Sequence, residues 1–285
     1  GLVILIHGWE GSVESAYIVS TARFLYRNGY DIFRLNLRDH GASHHLNEGL
    51  FYGTLIDETH AAVKKAAALS KGRPVFLSGF SMGANFSLRV ASRHGKDPVP
   101  GLAHVLAVNP PLDPHRATVN IDRIGAIRRY FMKKWKRSLR KKQALFPARY
   151  DFSRELAMCT CMEITESLIH RLTDYGSAEN YFAAYNLTKE WLDKIKVPTV
   201  ILMSRDDPFI PADDFARTAM GPGIQLMMQE FGGHCGYIDG LKLGSWYQRL
   251  ALEIFEKTNF NVTNKREKPQ RRRGTEVLKG KGRKK

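Results

Sequence analysis

A serine between two glycines is the first feature of the sequence that suggests chemistry. Ser81 is the centre of a Gly-x-Ser-x-Gly pattern, Gly79 to Gly83, which follows an apolar run at residues 73–78 and precedes a helical stretch at 84–91. A serine on a tight turn between a strand and a helix exposes its hydroxyl above the end of the strand. The glycines let neighbouring backbone approach closely. We therefore predict a nucleophilic Ser81, and not an N-cap serine in an ordinary glycine-rich turn.

Candidates for an acid and a base follow Ser81 in the chain. A buried-strand pattern at residues 195–204 leads to Asp206 and Asp207, and a carboxylate in a loop after a strand can accept a histidine N–H. Further on, glycines flank His234, and no other histidine follows the two aspartates. The order serine, aspartate, histidine therefore predicts His234 as the general base and leaves Asp206 and Asp207 as alternatives for the acid.

The apolar pattern along the chain indicates the elements that must position these residues. Strands are predicted at residues 2–6, 31–36, 73–78, 103–108, 195–204 and 224–229, and helices at 14–28 and 54–70. Alternating strands and helices are typical of an α/β fold with a mainly parallel sheet flanked by helices. In such a fold, ligands bind at the carboxyl ends of the strands.

Several segments together resemble the YheT-like branch of the alpha/beta hydrolases. They are residues 7–11, 35–41, 79–85, 206–209 and 232–234. The resemblance implies an alpha/beta-hydrolase fold over about residues 1–258. It also implies a hydrolase that acts on carboxylic esters, with some relatives transferring acyl groups to alcohols. Neither a cofactor nor a metal is expected.

The resemblance also implies roles for individual residues. The spacing of Asp207 from the prolines that follow it resembles the family's acid loop, which leaves Asp206 to cap that loop. In this fold the strand that runs into residues 7–11 presents a backbone N–H to the nucleophile, so the N–H groups of Trp9 and Met82 are the expected oxyanion donors. His7 is expected to support its loop, and the histidines at residues 40–45 to brace the sheet and not to bind a metal.

An inserted helical lid is predicted between residues 113 and 195, where the alternation of strands and helices stops. The core is then divided into residues 1–112 and 196–260. Within the insertion, residues 123–142 include ten Lys or Arg and no acidic residue. Apolar residues recur there at helical spacing, at Ile124, Ile127, Phe131, Trp135 and Leu139. We expect the apolar face to pack on the core and the charges to be solvated; the alternative is a helix that lies on an anionic membrane or receives acidic, lipid-like substrates.

A basic tail is predicted at residues 264–285. It has eleven Lys or Arg and two Glu, so it carries +9 of the total charge of +16. A segment this charged and this poor in large apolar residues is expected to be disordered. It is either a solubilising extension or a nonspecific contact for nucleic acid or an anionic membrane.

Composition indicates a cytoplasmic protein, with peripheral membrane contact as the alternative. No apolar run approaches the ~20 residues that a membrane span needs, and no signal peptide is visible. Three cysteines, Cys159, Cys161 and Cys235, do not suggest a disulfide framework. The first residues already fit the third strand of an alpha/beta hydrolase, so the N-terminal strands are expected to be missing.

The sequence therefore predicts an intracellular serine hydrolase of carboxylic esters that acts through Ser81, Asp207 and His234 by an acyl-enzyme. Its partner is a small ester, with an acyl or lipid-like group as one possibility. Two alternatives remain, an acyltransferase with the same site and a non-catalytic hydrolase fold that binds nucleic acid or membrane through its basic helix and tail. The sequence leaves the substrate and the oligomeric state open.

Overall fold

The computed structural model describes residues 1–240 and 244–267. The strands in these ranges are β1 (Leu2–Ile6), β2 (Asp31–Leu35), β3 (Val75–Phe80), β4 (Leu102–Val108), β5 (Thr199–Ser204), β6 (Ile224–Gln229), β7 (Ile238–Asp239) and β8 (Gly244–Ser245). The α-helices are α1 (Ala16–Arg27), α2 (Ile56–Ala68), α3 (Met82–Arg93), α4 (Pro114–Arg123), α5 (Gly125–Leu145), α6 (Ser153–Ala157), α7 (Cys161–Leu172), α8 (Ala178–Ala183), α9 (Lys189–Asp193), α10 (Ala212–Arg217) and α11 (Trp246–Glu267).

Strands β1 to β6 form one parallel sheet in the order β2-β1-β3-β4-β5-β6. β1 pairs with β2 on one side and with β3 on the other, so that Leu2 lies opposite both Asp31 and Val75. β7 and β8 form a separate antiparallel pair. The predicted parallel sheet is confirmed, and the strand before Ser81 runs to Phe80, two residues further than its apolar pattern indicates. Because all six strands run the same way, the loops that follow them meet at one edge.

The continuous apolar run of β1 is explained by helices on both faces of the sheet. Leu2, Ile4 and Ile6 belong to the large core cluster beneath α2, α3 and the helices between β4 and β5. Val3 and Leu5 belong to the cluster on the opposite face, beneath α1 and α11. Since successive side chains of a strand point to opposite faces, a strand covered on both sides must be apolar throughout.

Helices α4 to α9 lie between β4 and β5 in the chain, in the region predicted to form the lid. Local capping sets where they begin. Asp113 accepts the N–H of Arg116 (3.1 Å) at the start of α4, and Thr160 and Glu163 form a capping box at the start of α7. A capped helix start satisfies N–H groups that have no partner inside the helix.

The basic helix α5 has the predicted apolar face. Phe131, Trp135 and Leu139 pack on the large core cluster. Its basic side chains are exposed or partly exposed, except for Lys142, which is 1% exposed. The expectation that its charges are all solvated is therefore wrong at Lys142, because Asp39 and backbone carbonyls of the facing loop bind this ammonium group.

Helix α11 covers one face of the sheet and continues to Glu267. Residues 264–267 of the predicted disordered tail are therefore helical, and the rest of the tail lies outside the described residues. Nothing among the helices of residues 1–240 and 244–267 has the length and apolar character needed to cross a membrane.

Candidate active site

Ser81 lies on a tight turn between β3 and α3. Its backbone has φ 54° and ψ −121°, a conformation that costs energy for a residue with a side chain. The Ser81 N–H donates to the carbonyl of Val108 at the end of β4 (2.8 Å), which holds the turn. A Cβ on Gly79 would overlap the Gly83 carbonyl, and a Cβ on Gly83 would overlap the carbonyl of Ile6. The turn therefore has the geometry that the sequence pattern predicts, and both glycines are required for it.

The loops after β5 and β6 bring the predicted acid and base together. His234 Nδ1 lies 2.8 Å from Asp207 Oδ2, and the side chain of Asp207 is fully buried. Asp207 Oδ1 accepts the N–H groups of Phe209 (3.1 Å) and Ile210 (3.0 Å). Burial by itself raises the pKa of Asp207, but the hydrogen bond and charge of His234 and the two N–H groups outweigh it, so the pKa is lowered. An ionised Asp207 can only accept, and His234 Nδ1 is therefore the donor.

Asp206 supports the loop that carries the base. Its Oδ1 accepts the N–H groups of Gly232 (2.9 Å) and Gly233 (2.8 Å). The Gly233 carbonyl in turn accepts the hydroxyl of Ser204 (2.8 Å). The two adjacent aspartates thus face different partners, since Asp207 meets the imidazole and Asp206 meets backbone.

The base loop packs against the turn at Ser81 through Cys235. The Val108 carbonyl that accepts the Ser81 N–H also lies 3.7 Å from Cys235 Sγ. Among the described residues, no hydrogen bond joins Ser81 to His234. Such catalytic hydrogen bonds are often long or misaligned when no substrate is bound, and proton transfer between these two side chains stays a prediction.

Trp9 and Met82, the predicted oxyanion donors, line the same cavity as Ser81. No acceptor for either backbone N–H is seen within residues 1–240 and 244–267. Gly8 brings the Trp9 loop close, since a Cβ on Gly8 would lie 3.2 Å from the Cβ of Ser81. Two N–H groups without partners beside a nucleophile are what an oxyanion hole requires, and their use in this way stays a prediction.

His7 supports this loop and stays neutral. Its Nε2 accepts the N–H of Leu37 (3.1 Å), and its Nδ1 lies 2.8 Å from the carbonyl of Gly8. Burial lowers the pKa of His7 to about 4. The imidazole therefore links the loops after β1 and β2 without exchanging protons near neutral pH.

An apolar cavity of ≈ 140 Å³ extends from Ser81 beneath the inserted helices. Side chains of α4, α5 and α7 supply much of its wall, including Ile121, Phe131, Trp135, Leu139, Leu168 and Ile169. A largely apolar cavity with a few polar groups at one end is typical of a small-molecule site. This cavity is suited to an apolar chain whose reacting end lies at Ser81.

A chain of aromatic contacts joins α5 to both the oxyanion loop and the base. The Trp9 ring stacks on Phe131, with centroids 5.1 Å apart, and lies edge-on to Trp135 at 4.9 Å. Phe131 contacts Phe209 at 6.0 Å, and Phe209 contacts His234 at 4.0 Å. Offset and edge-to-face aromatic pairs stabilise packing beyond the area that they bury, so α5 is held over the site by these rings.

A sequence model of the hydrolase family described as serine aminopeptidase, S33, matches residues 1–234. The chain belongs to this hydrolase family. The putative esterase YheT of Escherichia coli K12 is 20% identical over 246 residues, which are 85% of this chain and 72% of that protein. This similarity confirms the predicted YheT-like resemblance.

Two further relatives of this hydrolase are longer proteins. An abhydrolase domain-containing protein of Dictyostelium discoideum is 24% identical over 262 residues, 88% of this chain and 65% of that protein. The medium-chain fatty acid ethyl ester synthase/esterase 2 of Saccharomyces cerevisiae is 23% identical over 283 residues, 90% of this chain and 62% of that protein. The chain thus spans a little under two thirds of the length of both relatives.

Solved structures confirm the alpha/beta-hydrolase fold. An esterase of Pyrococcus furiosus superposes with a TM-score of 0.55 at 17% identity, covering 90% of this chain and 82% of that one. The Est1E protein of Butyrivibrio proteoclasticus, solved with ferulic acid bound, has a TM-score of 0.55 at 16% identity and covers 94% and 90% of the two chains. At these identities the likeness concerns the fold alone.

One residue of the hydrolase site, Asn109, is missed by the sequence reasoning. It follows β4 directly with φ 47°, and its Nδ2 donates to Asp207 Oδ2 (2.6 Å). Its Oδ1 accepts the hydroxyl of Tyr237 (2.8 Å). Asn109 and His234 therefore bond the same oxygen of Asp207, and Tyr237 holds Asn109 in place. The Asn-Pro pair at the end of a predicted strand is the signal that points to this position.

Proposed function

We propose that this hydrolase is a serine esterase in which Ser81 is the nucleophile, His234 the general base and Asp207 the group that orients His234. One observation carries the proposal. The strained turn at Ser81 and the bonded pair of Asp207 and His234 lie on loops that pack against each other at one edge of the sheet. A serine, an imidazole and a buried carboxylate in this relation are the elements of acyl transfer through a covalent intermediate.

The proposed reaction has two halves. Ser81 Oγ attacks the ester carbonyl while His234 Nε2 takes the hydroxyl proton, and the N–H groups of Trp9 and Met82 stabilise the negative oxygen that forms. The C–O bond to the alcohol then breaks, and the alcohol leaves with the proton from His234. Water, activated by His234, attacks the acyl-Ser81 carbonyl and releases the acid and the free serine.

The apolar cavity supports an acyl chain as the part of the substrate that binds beneath the inserted helices. Each methylene buried in such a cavity is worth about 0.8 kcal/mol. We therefore expect kcat/KM to rise by about fourfold per methylene until the cavity is full, and then to fall. A series of p-nitrophenyl esters of increasing acyl length measures this directly, and an amino acid p-nitroanilide in the same series tests the peptidase activity that the family description names.

A fluorophosphonate probe on the purified chain tests the proposed nucleophile. Covalent labelling of the wild type is expected, and Ser81→Ala should lose both labelling and at least about a thousandfold in kcat. Ser20→Ala, which changes an exposed serine of α1, is the matched control and should label normally. Labelling that persists in Ser81→Ala would refute the assignment. An unlabelled wild type that binds RNA or liposomes in a salt-sensitive way would instead support the non-catalytic alternative.

Transfer of the acyl group to an alcohol is a second candidate for the same site. The name of the yeast relative, an ethyl ester synthase and esterase, supports it. In this version an alcohol replaces water in the second half of the reaction, and its oxygen forms the new ester bond. Adding ethanol to the hydrolysis assay and measuring the ratio of ethyl ester to free acid distinguishes the two, because a pure hydrolase gives only acid.

A further inference from the structure

A second concave site adjoins the proposed active site. It is a groove of ≈ 340 Å³ between helix α5 and the loop at residues 10–15. Glu10, Asp39, His40 and Ser138 line both this groove and the apolar cavity at Ser81. The two spaces are therefore adjacent and have these side chains in common as lining.

Three cationic side chains of α5 line this groove: Lys134, Arg137 and Lys141. Their spacing of three and four residues places them on one helix face, where like charges repel. None of them forms an ion pair with a carboxylate in the part of the chain that the structure describes. Lys134 and Lys141 donate instead to the backbone carbonyls of Glu10 (3.0 Å) and Gly41 (3.1 Å).

The acidic residues around the groove do not neutralise these cations. Asp39 is bound to Lys142 at 2.8 Å, and Glu14 pairs with Arg34 at 3.3 Å. Removal of the Glu10 carboxyl from water raises its pKa to about 8, so this group is mostly uncharged at neutral pH. The groove therefore keeps a net positive charge beside the nucleophile.

We propose that the groove binds the phosphoryl group of the ester substrate, and this inference rests on the proposed function. The acyl chain then lies in the apolar cavity, and the alcohol portion carries the phosphoryl group toward α5. Arg137 and the two lysines supply charge-assisted hydrogen bonds to its oxygens. The Ser12 hydroxyl accepts the N–H of Glu14 (3.1 Å), and its own proton is available to donate to a phosphoryl oxygen. The substrate class is therefore the acyl esters of phosphorylated alcohols.

Binding without turnover gives the first test. Glycerol 3-phosphate is titrated into Ser81→Ala by calorimetry, so that the readout does not depend on catalysis. Arg137→Gln in this background should weaken binding by about tenfold, the equivalent of one charge-assisted hydrogen bond. Arg140→Gln removes the same charge from the same helix but lies outside the groove, and it should change affinity by less than about twofold. Equal effects of the two variants, or no binding by Ser81→Ala, would overturn the proposal.

Turnover of two matched esters gives the second test. The wild type is compared on a butyryl ester of glycerol and on the same ester of glycerol 3-phosphate. Arg137→Gln should raise KM for the phosphorylated ester by about tenfold more than it changes KM for the neutral ester. Hydrolysis of both esters with no preference would refute phosphoryl binding by the groove but would be consistent with the proposed esterase activity. Binding of glycerol 3-phosphate with no hydrolysis of any ester would refute the proposed esterase activity but would support phosphoryl binding by the groove.

The source of the phosphoryl group is distinguished by a third measurement. If the substrate is an ester of a soluble phosphorylated alcohol, it should saturate the enzyme without any lipid present. If the group belongs to a lipid headgroup, activity should instead rise sharply when the substrate forms micelles or is placed in phosphatidylglycerol vesicles. A loss of the Arg137 effect in both formats would contradict the proposal.

Discussion

Two buried aspartates at the same edge of the sheet have similar surroundings but different proposed roles. Asp39 lies in the loop after β2 and accepts one backbone N–H, and Asp207 lies in the loop after β5 and accepts two. Each also has one basic partner at 2.8 Å, Lys142 for Asp39 and His234 for Asp207. The similarity shows that a buried, paired carboxylate is not by itself evidence of catalysis.

The partners make the difference. The Lys142 side chain is 1% exposed, and its ammonium group donates to Asp39 and to backbone carbonyls of the facing loop, at Asn47 and Gly49 and, at 3.4 Å, His44. The His234 ring is 19% exposed, and once Nδ1 is bonded to Asp207 its other nitrogen is free to exchange a proton. Burial raises the pKa of Asp39 despite Lys142, whereas the pKa of Asp207 is lowered. One pair therefore fixes a loop to α5, and the other retains a functional nitrogen.

The largest effect is expected from replacing the acid itself. Asp207→Asn removes the charge that holds His234 and should lower kcat by about a thousandfold or more. Asp206→Asn retains an oxygen for the N–H groups of Gly232 and Gly233, so its loss should be less than about tenfold. Steady-state kinetics on one p-nitrophenyl ester measures both. Equal losses would show that the two aspartates do not divide their roles as proposed.

Breaking the structural pair should reduce stability. Lys142→Met leaves Asp39 buried without its partner, and the free energy of unfolding should fall by about 3–5 kcal/mol in urea titrations. Lys133→Met, at an exposed position of the same helix, is the matched control and should change it by less than about 0.5 kcal/mol. The double variant Asp39→Asn with Lys142→Met should recover part of the loss. A Lys142→Met protein as stable as the control would contradict a structural role for the pair of Asp39 and Lys142.

A neutral histidine sharpens the contrast with His234. The pKa of His7 is about 4 in the folded chain and near its ordinary 6.5 when unfolded, so the unfolded state binds more protons between these pH values. Its stabilising contribution is complete above pH 6.5 and decreases as the pH falls toward 4, by on the order of 3 kcal/mol in total. Urea titrations from pH 7 to pH 4 should show a smaller decrease in His7→Gln. An identical pH slope in both proteins would mean that folding does not lower the pKa of His7.

How far the sequence predicts this site depends on the range of the contacts. The turn at Ser81 can be predicted from the sequence because the glycines that it requires lie within one five-residue segment. The order of serine, aspartate and histidine along the chain predicts His234. The roles of Asn109 and Lys142 cannot be predicted in this way. Asn109 contacts Asp207 across 98 residues of sequence, and Lys142 contacts Asp39 across 103. Periodicity places Lys142 among the solvated charges of α5, and only the fold of the facing loop shows that it is buried. The strands follow from their apolar runs, whereas the cavity depends on how α4 to α8 pack.

The smallest effect tests the support behind the acid. Asn109 contacts Asp207 and not the reacting atoms, so it is a positioning residue. Asn109→Ala should lower kcat by about tenfold with little change in KM. Because the lost N–H stabilises the ionised form of Asp207, the pKa of this carboxyl should rise. A protonated Asp207 no longer accepts the His234 N–H, so the loss of kcat on acidification, the acidic limb of the profile, should begin at higher pH.

Tyr237→Phe is the graded control for Asn109→Ala, because it removes only the hydroxyl that holds Asn109. It should give a smaller loss and a smaller shift in the same direction. A role limited to folding would lower the yield or the unfolding free energy of Asn109→Ala and leave the pH profile of the folded enzyme unmoved. The shift of the acidic limb therefore decides whether Asn109 helps to keep Asp207 ionised. Asp39 differs in this respect, because among the side chains of residues 1–240 and 244–267 only Lys142 bonds its carboxylate.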